Sequence, residues 1–245
     1  MAGNNVDTKL LLHMNGADES ITFIDSRATG TPHTVTAVGN AQIDTAQSVF
    51  GGASGLFDGA GDYLSMPDSP DWDVFASSID DWTLDAHIRR IGDGGNTSEP
   101  IFSQANTTAS MYWRFEHHRS RGLRIVVYDS GQIIVTADLT PLSNDTWYHI
   151  AMCKVGSLYG IYIDGTQVSF VDDSSTLSIA GLFAIGTRPQ SSPVAFFNGN
   201  IDEARVQKSN YFTASPNVGL SDTIVVPTEE YSLAGFPHSQ GYIVS

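Results

Sequence analysis

The sequence predicts an all-β chain built as two packed antiparallel sheets, and three observations carry that expectation. Runs of alternating apolar and polar residues recur from end to end, turn residues punctuate them, and no segment of helix length shows a helical repeat. Strands without helices can cover their apolar faces only with each other, so the sheets must pack face to face. A parallel α/β enzyme fold is excluded on the same ground.

The candidate strands are 9–14, 33–38, 63–66, 82–90, 101–104, 111–117, 122–128, 133–138, 147–155, 158–163, 181–185 and 201–207. In 82–90, Trp82, Leu84, Ala86 and Ile88 alternate with Thr83, Asp85, His87 and Arg89, which puts the first set in the core and the second on a polar face. Met111, Trp113 and Phe115 alternate in the same way with Tyr112, Arg114 and Glu116. Asp164-Gly165 after the 158–163 run, and Asp129-Ser130-Gly131 between two β-branched runs, read as hairpin turns. Beyond Val206 the alternation weakens and Pro216, Pro227 and Pro237 recur among small polar residues. The expected organisation is therefore one domain over 5–215 and an extended arm over 216–245, the terminal arms being held by a neighbouring subunit or a larger assembly.

Composition narrows the function classes. Twelve basic against 27 acidic side chains give a formal charge of −15, which repels phosphate backbones and anionic lipid surfaces, so nucleic acid is not an expected partner. The acidic surplus suits a divalent cation, or simply a solvated surface. Cys153 is the only cysteine and lies in an apolar run, as inert buried packing does. No window approaches the ~20 apolar residues of a membrane span, and the N-terminal MAGNNVDTK has neither the charged start nor the apolar stretch of a Sec signal. Synthesis as a soluble cytoplasmic product is the expectation.

Four blocks in order carry a resemblance: LLLHMNG (10–16) followed by FIDSRATG, FDGAGDYLSMPDSPDWD (57–73), WYHIAMCKVGSLYGIYIDG (147–165) and FNGNIDEARV (197–206). Together they resemble the laminin-G-like branch of the concanavalin-A-like lectin and glucanase superfamily, particularly copies in phage and bacterial surface proteins. The resemblance implies a jelly-roll sandwich. It also implies a structural Ca²⁺ at Asp202, completed by the segments around Asn15 and Gly16 and around Gly59 and Asp62, since oxygen-only ligation fits calcium. Read from the residues alone, Asp202 equally suits a loop cap or a partner of Arg205.

The enzyme readings find little support. Glycoside hydrolases of this fold carry paired carboxylates in an E-x-D-x-x-E pattern, which does not occur here. The nearest substitute is Asp85 with Glu116, if their strands bring them together. No G-x-S-x-G elbow occurs, Gly92 to Gly95 do not precede a helix, and His117 and His118 point to opposite faces of one strand. Two binding readings remain. One is a glycan-binding surface formed by Trp72, Asp85, His87, Arg89, Tyr112 and Arg114, with Trp72 or Tyr112 as the exposed aromatic. The other, implied by the phage-like resemblance, is a non-catalytic virion protein at the particle surface. That protein is a capsid decoration or a tail or fibre appendage, homo-oligomeric, docked on other virion subunits and in contact with host surface glycans.

Overall fold

A computed structural model describes residues 2–129, 131–137 and 140–233. Its strands are β1 (Ala2–Asn4), β2 (Thr8–Leu12), β3 (Thr36–Val38), β4 (Gln42–Asp44), β5 (Ser54–Asp58), β6 (Tyr63–Met66), β7 (Trp82–Arg90), β8 (Ser98–Ala105), β9 (Met111–His118) and β10 (Gly122–Asp129). They continue with β11 (Gln132–Ala137), β12 (Trp147–Val155), β13 (Leu158–Ile163), β14 (Thr166–Asp172), β15 (Leu182–Ile185), β16 (Thr187–Arg188), β17 (Val194–Phe196), β18 (Asn198–Gln207) and β19 (Ser232–Leu233). A single 3-10 turn, Pro70–Trp72, is the only helix among the described residues.

Two sheets form the sandwich. One has seven strands in the order β11-β10-β9-β8-β15-β6-β3; the other has eight, β14-β13-β12-β7-β18-β5-β4, with β2 also on β18. All pairings within them are antiparallel. The inward sets predicted for β7 and β9 do face the core between the sheets, where they meet Phe57, Leu64, Ile150, Ile161 and Phe183. No helix of the described residues is long and apolar enough to cross a membrane.

The outer face of the eight-stranded sheet departs from expectation, because it is not solvated. Thr83, Asp85, His87, His149 and Arg205 are all buried there. Residues 208–233 return across this face, and Phe212, Ala214 and Ile224 form a second apolar cluster with Ala151, Cys153 and Tyr162. β1 and β19 pair in parallel at its edge. The arm expected to need a neighbouring subunit is thus held, through residue 233, by the chain's own sheet. Residues 234–245 of the predicted arm, and residue 138 of the predicted strand 133–138, lie outside the described residues.

Within β18 the register shifts between Asp202 and Arg205, and Glu203 adopts a left-handed φ of 52°. This bulge leaves Glu203 as the extra residue and resets the alternation, so that Ile201, Ala204 and Val206 face the core while Asp202 and Arg205 both face outward. Arg205 then stands opposite Asp85, whose carboxylate accepts from Arg205 Nε at 2.9 Å and from the Tyr231 hydroxyl at 2.5 Å. The guanidinium lies between the rings of Tyr211 and Tyr231, 3.9 and 3.7 Å from their centroids, and donates to the Gly3 carbonyl at 2.9 Å. Both ends of the described chain converge on this ion pair.

Candidate functional site

The residues singled out from sequence separate into three places. Trp72 is fully buried, stacked on Phe183 at 4.4 Å with its indole N–H donating to the Pro67 carbonyl at 2.9 Å, so it offers no face to a sugar. Its 3-10 turn, capped by the Ser69 hydroxyl, tips the ring inward. Asp85 and His87 lie under the returning arm, and Arg89 pairs with Asp145 at 2.6 Å near the end of the same sheet. Burial, with His149 alongside, pushes the His87 imidazole down to about 3, as expected of a neutral ring packed against Phe50. Only Tyr112 and Arg114 remain together, on the outer face of the other sheet.

That face is built by strand alternation. Its outward rows pair Tyr112 with Tyr128, Arg114 with Val126 and Glu116 with Arg124 across β9 and β10. Next to them the outward positions of β8 and β15 are small: Ala105, Ser103 and Ala184. The β16–β17 hairpin stands over β8, held where the Ser103 hydroxyl donates to the Thr187 carbonyl, and it carries Arg188 to the tyrosines. The Tyr112 and Tyr128 rings stack at 5.0 Å, both half-buried, and the guanidiniums of Arg114 and Arg188 lie 5.0 and 4.9 Å from the Tyr112 centroid. Glu116 is shared between Arg114 at 3.0 Å and Arg124 at 2.6 Å. Arg188 forms no ion pair among the described residues, and the Nε donors of both Arg114 and Arg188 are buried without a partner. Sequence reasoning missed Tyr128, Arg124 and Arg188. The first two were within reach, since they sit at the same alternation phase in the neighbouring strand, whereas Arg188 arrives from a short hairpin with no periodic signal.

Asp85 and Glu116 do not form a catalytic pair. They occupy the outer faces of different sheets, with two sheets about 10 Å apart between them, and each is held by arginine. A polar cleft of about 520 Å³ at one end of the sandwich is lined by Arg90, His117, Arg119 and Asn144 among others. Its inner donors are already committed: Arg90 and His117 both bond Glu99, while Arg90 also reaches Leu142 and Asn144.

The set implied for calcium is not brought together as a whole. Asp202 is buried, with Oδ2 accepting from the Val49 and Phe50 amides at 2.8 and 3.0 Å, while Arg205 pairs elsewhere. Gly59 packs beside Asn198, four residues up the strand or about 13 Å away, and Asp62 is used by the Asn40 and Asp58 amides. Asn15 does lie at the Asp202 end. A Cβ at Gly51, the residue after Phe50, would stand 1.9 Å from Asn15 Oδ1 and 2.3 Å from Glu230 Oε1. His13, Glu203 and Glu230 gather at the same place, with ligand atoms within 4.8 Å of one another. Asp202 Oδ1 has no hydrogen-bond partner, and burial raises the Asp202 carboxyl to about 7. The carboxylate oxygens of Glu203 and Glu230, with Asn15 beside Glu230, suit a hard divalent cation, and Asp202 directly precedes Glu203 in β18; Gly59 and Asp62 are not part of that set.

Residues 58–211 match the family described as the concanavalin A-like lectin/glucanases superfamily. The chain belongs to that superfamily. Solved structures with the same fold agree with this membership. Domain 4 of AbnA, an extracellular arabinanase of Geobacillus stearothermophilus solved with arabinotriose, superposes with a TM-score of 0.61 at 17% identity, covering 83% of this chain and 93% of that domain. The binding domains of paraclostridial mosquitocidal protein 1 and of botulinum neurotoxin serotype G give 0.61 and 0.60 at 13% and 12% identity, covering 83% of this chain in each case. The chain spans about half the length of those two toxin domains, 49% and 48%. No curated protein matches the chain. At these identities the superfamily members share the sandwich, and the site has to be argued from its own residues.

Proposed function

We propose that this superfamily member is a non-catalytic carbohydrate-binding domain whose sugar surface is the outer face of the seven-stranded sheet. The observation that carries the reading is the Tyr112–Tyr128 stack, half-buried and flanked by the guanidiniums of Arg114 and Arg188. Sugars are recognised by such pairings of a ring that takes the apolar C–H face with fixed donors that take hydroxyls. The other polar face is sealed by the arm and the end cleft has spent its inner donors, so neither competes. The arabinotriose bound by the AbnA domain and the binding role of the neurotoxin domain agree with a binding use of the fold. The lack of catalysis rests on the separation of Asp85 from Glu116 and on their arginine partners. A virion partner, implied by the phage-like resemblance and by the terminal arms, is not part of the proposal: the arm is held through residue 233 by the chain's own sheet, and the structural relatives include an arabinanase domain and toxin binding domains.

A glycan array with the full chain tests this reading. Hits that weaken about tenfold in Tyr128→Ala, the loss of roughly 1.4 kcal/mol, are expected. An array without hits overturns it.

Calcium belongs to the proposal as a structural ion held by Asn15, Asp202, Glu203 and Glu230, where it would neutralise clustered carboxylates and fasten the arm to β18. Melting curves in calcium and in chelator are expected to differ by several degrees. Coincident curves remove the ion.

A further inference from the structure

Nine arginines and three lysines are all the basic side chains of a chain with a formal charge of −15, and three of those arginines converge on one sheet face. Arg114 and Arg124 share a single carboxylate, Glu116, and Arg188 has no ion pair among the described residues. Arg114 is 9% exposed and its Nε has no acceptor; the Nε of Arg188 is likewise buried and unpartnered. The two guanidiniums lie 5.0 and 4.9 Å from the Tyr112 ring centroid, so the Arg188 charge stands beside the tyrosine stack without a countercharge among the described residues. Beside this, burial and then the positive neighbours Arg188 and Arg124 pull the Arg114 guanidinium below its ordinary range, against the opposing pull of Glu116. The local charge is positive on an otherwise acidic protein.

Planar guanidiniums in a row match oxyanions, which accept two parallel N–H bonds from each. We propose that this face selects anionic glycans, with a carboxylate or sulfate group seated between Arg114 and Arg188 and the sugar ring against the Tyr112–Tyr128 stack. This rests on the carbohydrate-binding reading and deepens it by naming the substrate class. A polyanion with phosphates along its whole length is disfavoured by the net charge, whereas a single acidic substituent engages only the arginine face.

The test compares paired ligands by titration calorimetry on the full chain. A galactose oligosaccharide ending in one galacturonate is set against its methyl ester, the same oligosaccharide carrying one sulfate against its desulfated form, and each acidic member is repeated with Arg188→Ala and Arg188→Lys. Arg188 has no ion pair to break, so these variants are expected to keep the wild-type melting temperature, which is checked first. The expected result is at least tenfold tighter binding of one acidic member over its neutral counterpart. That preference is lost in Arg188→Ala and only partly kept in Arg188→Lys. The two pairs report whether carboxylate or sulfate is the group recognised. Equal binding of acidic and neutral partners, or a preference unaffected by Arg188→Ala, overturns the inference and leaves the carbohydrate-binding reading in place. Absence of binding to every member, together with an array without hits, overturns both.

Discussion

Arg205 is fully buried, and its environment shows what a charge needs in order to sit inside a sandwich. Asp85 supplies the countercharge, two tyrosine rings supply π faces, and the Gly3 carbonyl and Tyr231 hydroxyl take two further N–H groups. A buried pair of this kind is strongly destabilising to break, because removing one partner strands the other. Tyr231→Phe is the mildest probe, deleting one hydroxyl that bonds both ions. It is expected to lower stability by about 1.5–3 kcal/mol in urea titrations, and a loss under 0.5 kcal/mol would show that the hydroxyl is dispensable. His87 contributes to the pH dependence, with His117 and His118 lowered in the same direction. Its folded value of about 3 lies below the ordinary 6.5, so between these values the unfolded state binds the extra proton and stability falls as pH is lowered from 6.5 towards 3. His13, raised chiefly by Glu203 against burial, acts in the opposite direction, its contribution being lost as pH rises. Denaturation midpoints at pH 4.5 and 7.5 should therefore differ less in His87→Gln than in the wild type. An identical difference in both proteins would free His87 of that role.

At the scale of elements, the returning segment 208–233 converts a solvated face into a second core. Truncation after residue 215 removes Ile224 and Tyr231 and opens the Asp85–Arg205 pair to water. The expected cost is several kcal/mol, or a melting temperature lower by roughly 10 °C or more, instead of the intact sandwich that a loose arm predicts. An unchanged melting temperature would sink this account. Sequence made the central strands legible because alternation there is clean, as in Trp82, Leu84, Ala86 and Ile88. It did not make the arm legible, since Phe212, Ala214 and Ile224 are too sparse to mark a periodic element. β14 was missed because the inward Ser169 blurs its pattern, β5 because Gly55 holds an inward position and Leu56 an outward one, and β1 and β19 because two or three residues carry no period. The bulge at Glu203 did leave a trace, a spacing of three between Ile201 and Ala204 where strict alternation requires two.

At the scale of the whole molecule, the candidate site was half legible. The outward phase of β9 placed Tyr112 and Arg114 on a polar surface, but which polar surface stays open depends on the path of the distant arm. Asp85, His87 and Arg89 share the same local signature as Tyr112 and Arg114, and only tertiary packing tells the two groups apart. Trp72 was misread for a related reason: a tryptophan between two aspartates in a turn looks exposed until the 3-10 turn directs it into the core. The sandwich that results has one face sealed by the arm and one on which Tyr112, Arg124 and Tyr128 stay partly exposed, and the second carries the arginine cluster.

The parallel clasp of β1 and β19 has a mechanical consequence. Tension applied through its two outer ends, at Ala2 and Leu233, pulls the paired strands along their own length in opposite directions, so the ladder is loaded in shear and its bonds share the force. Behind the clasp, Gly3 and Tyr231 both grip Arg205, so the pull is passed on to the buried ion pair before it reaches either sheet. Pulled in this way, the described chain meets resistance first at the clasp and at Arg205, and only then at the strands of the sandwich.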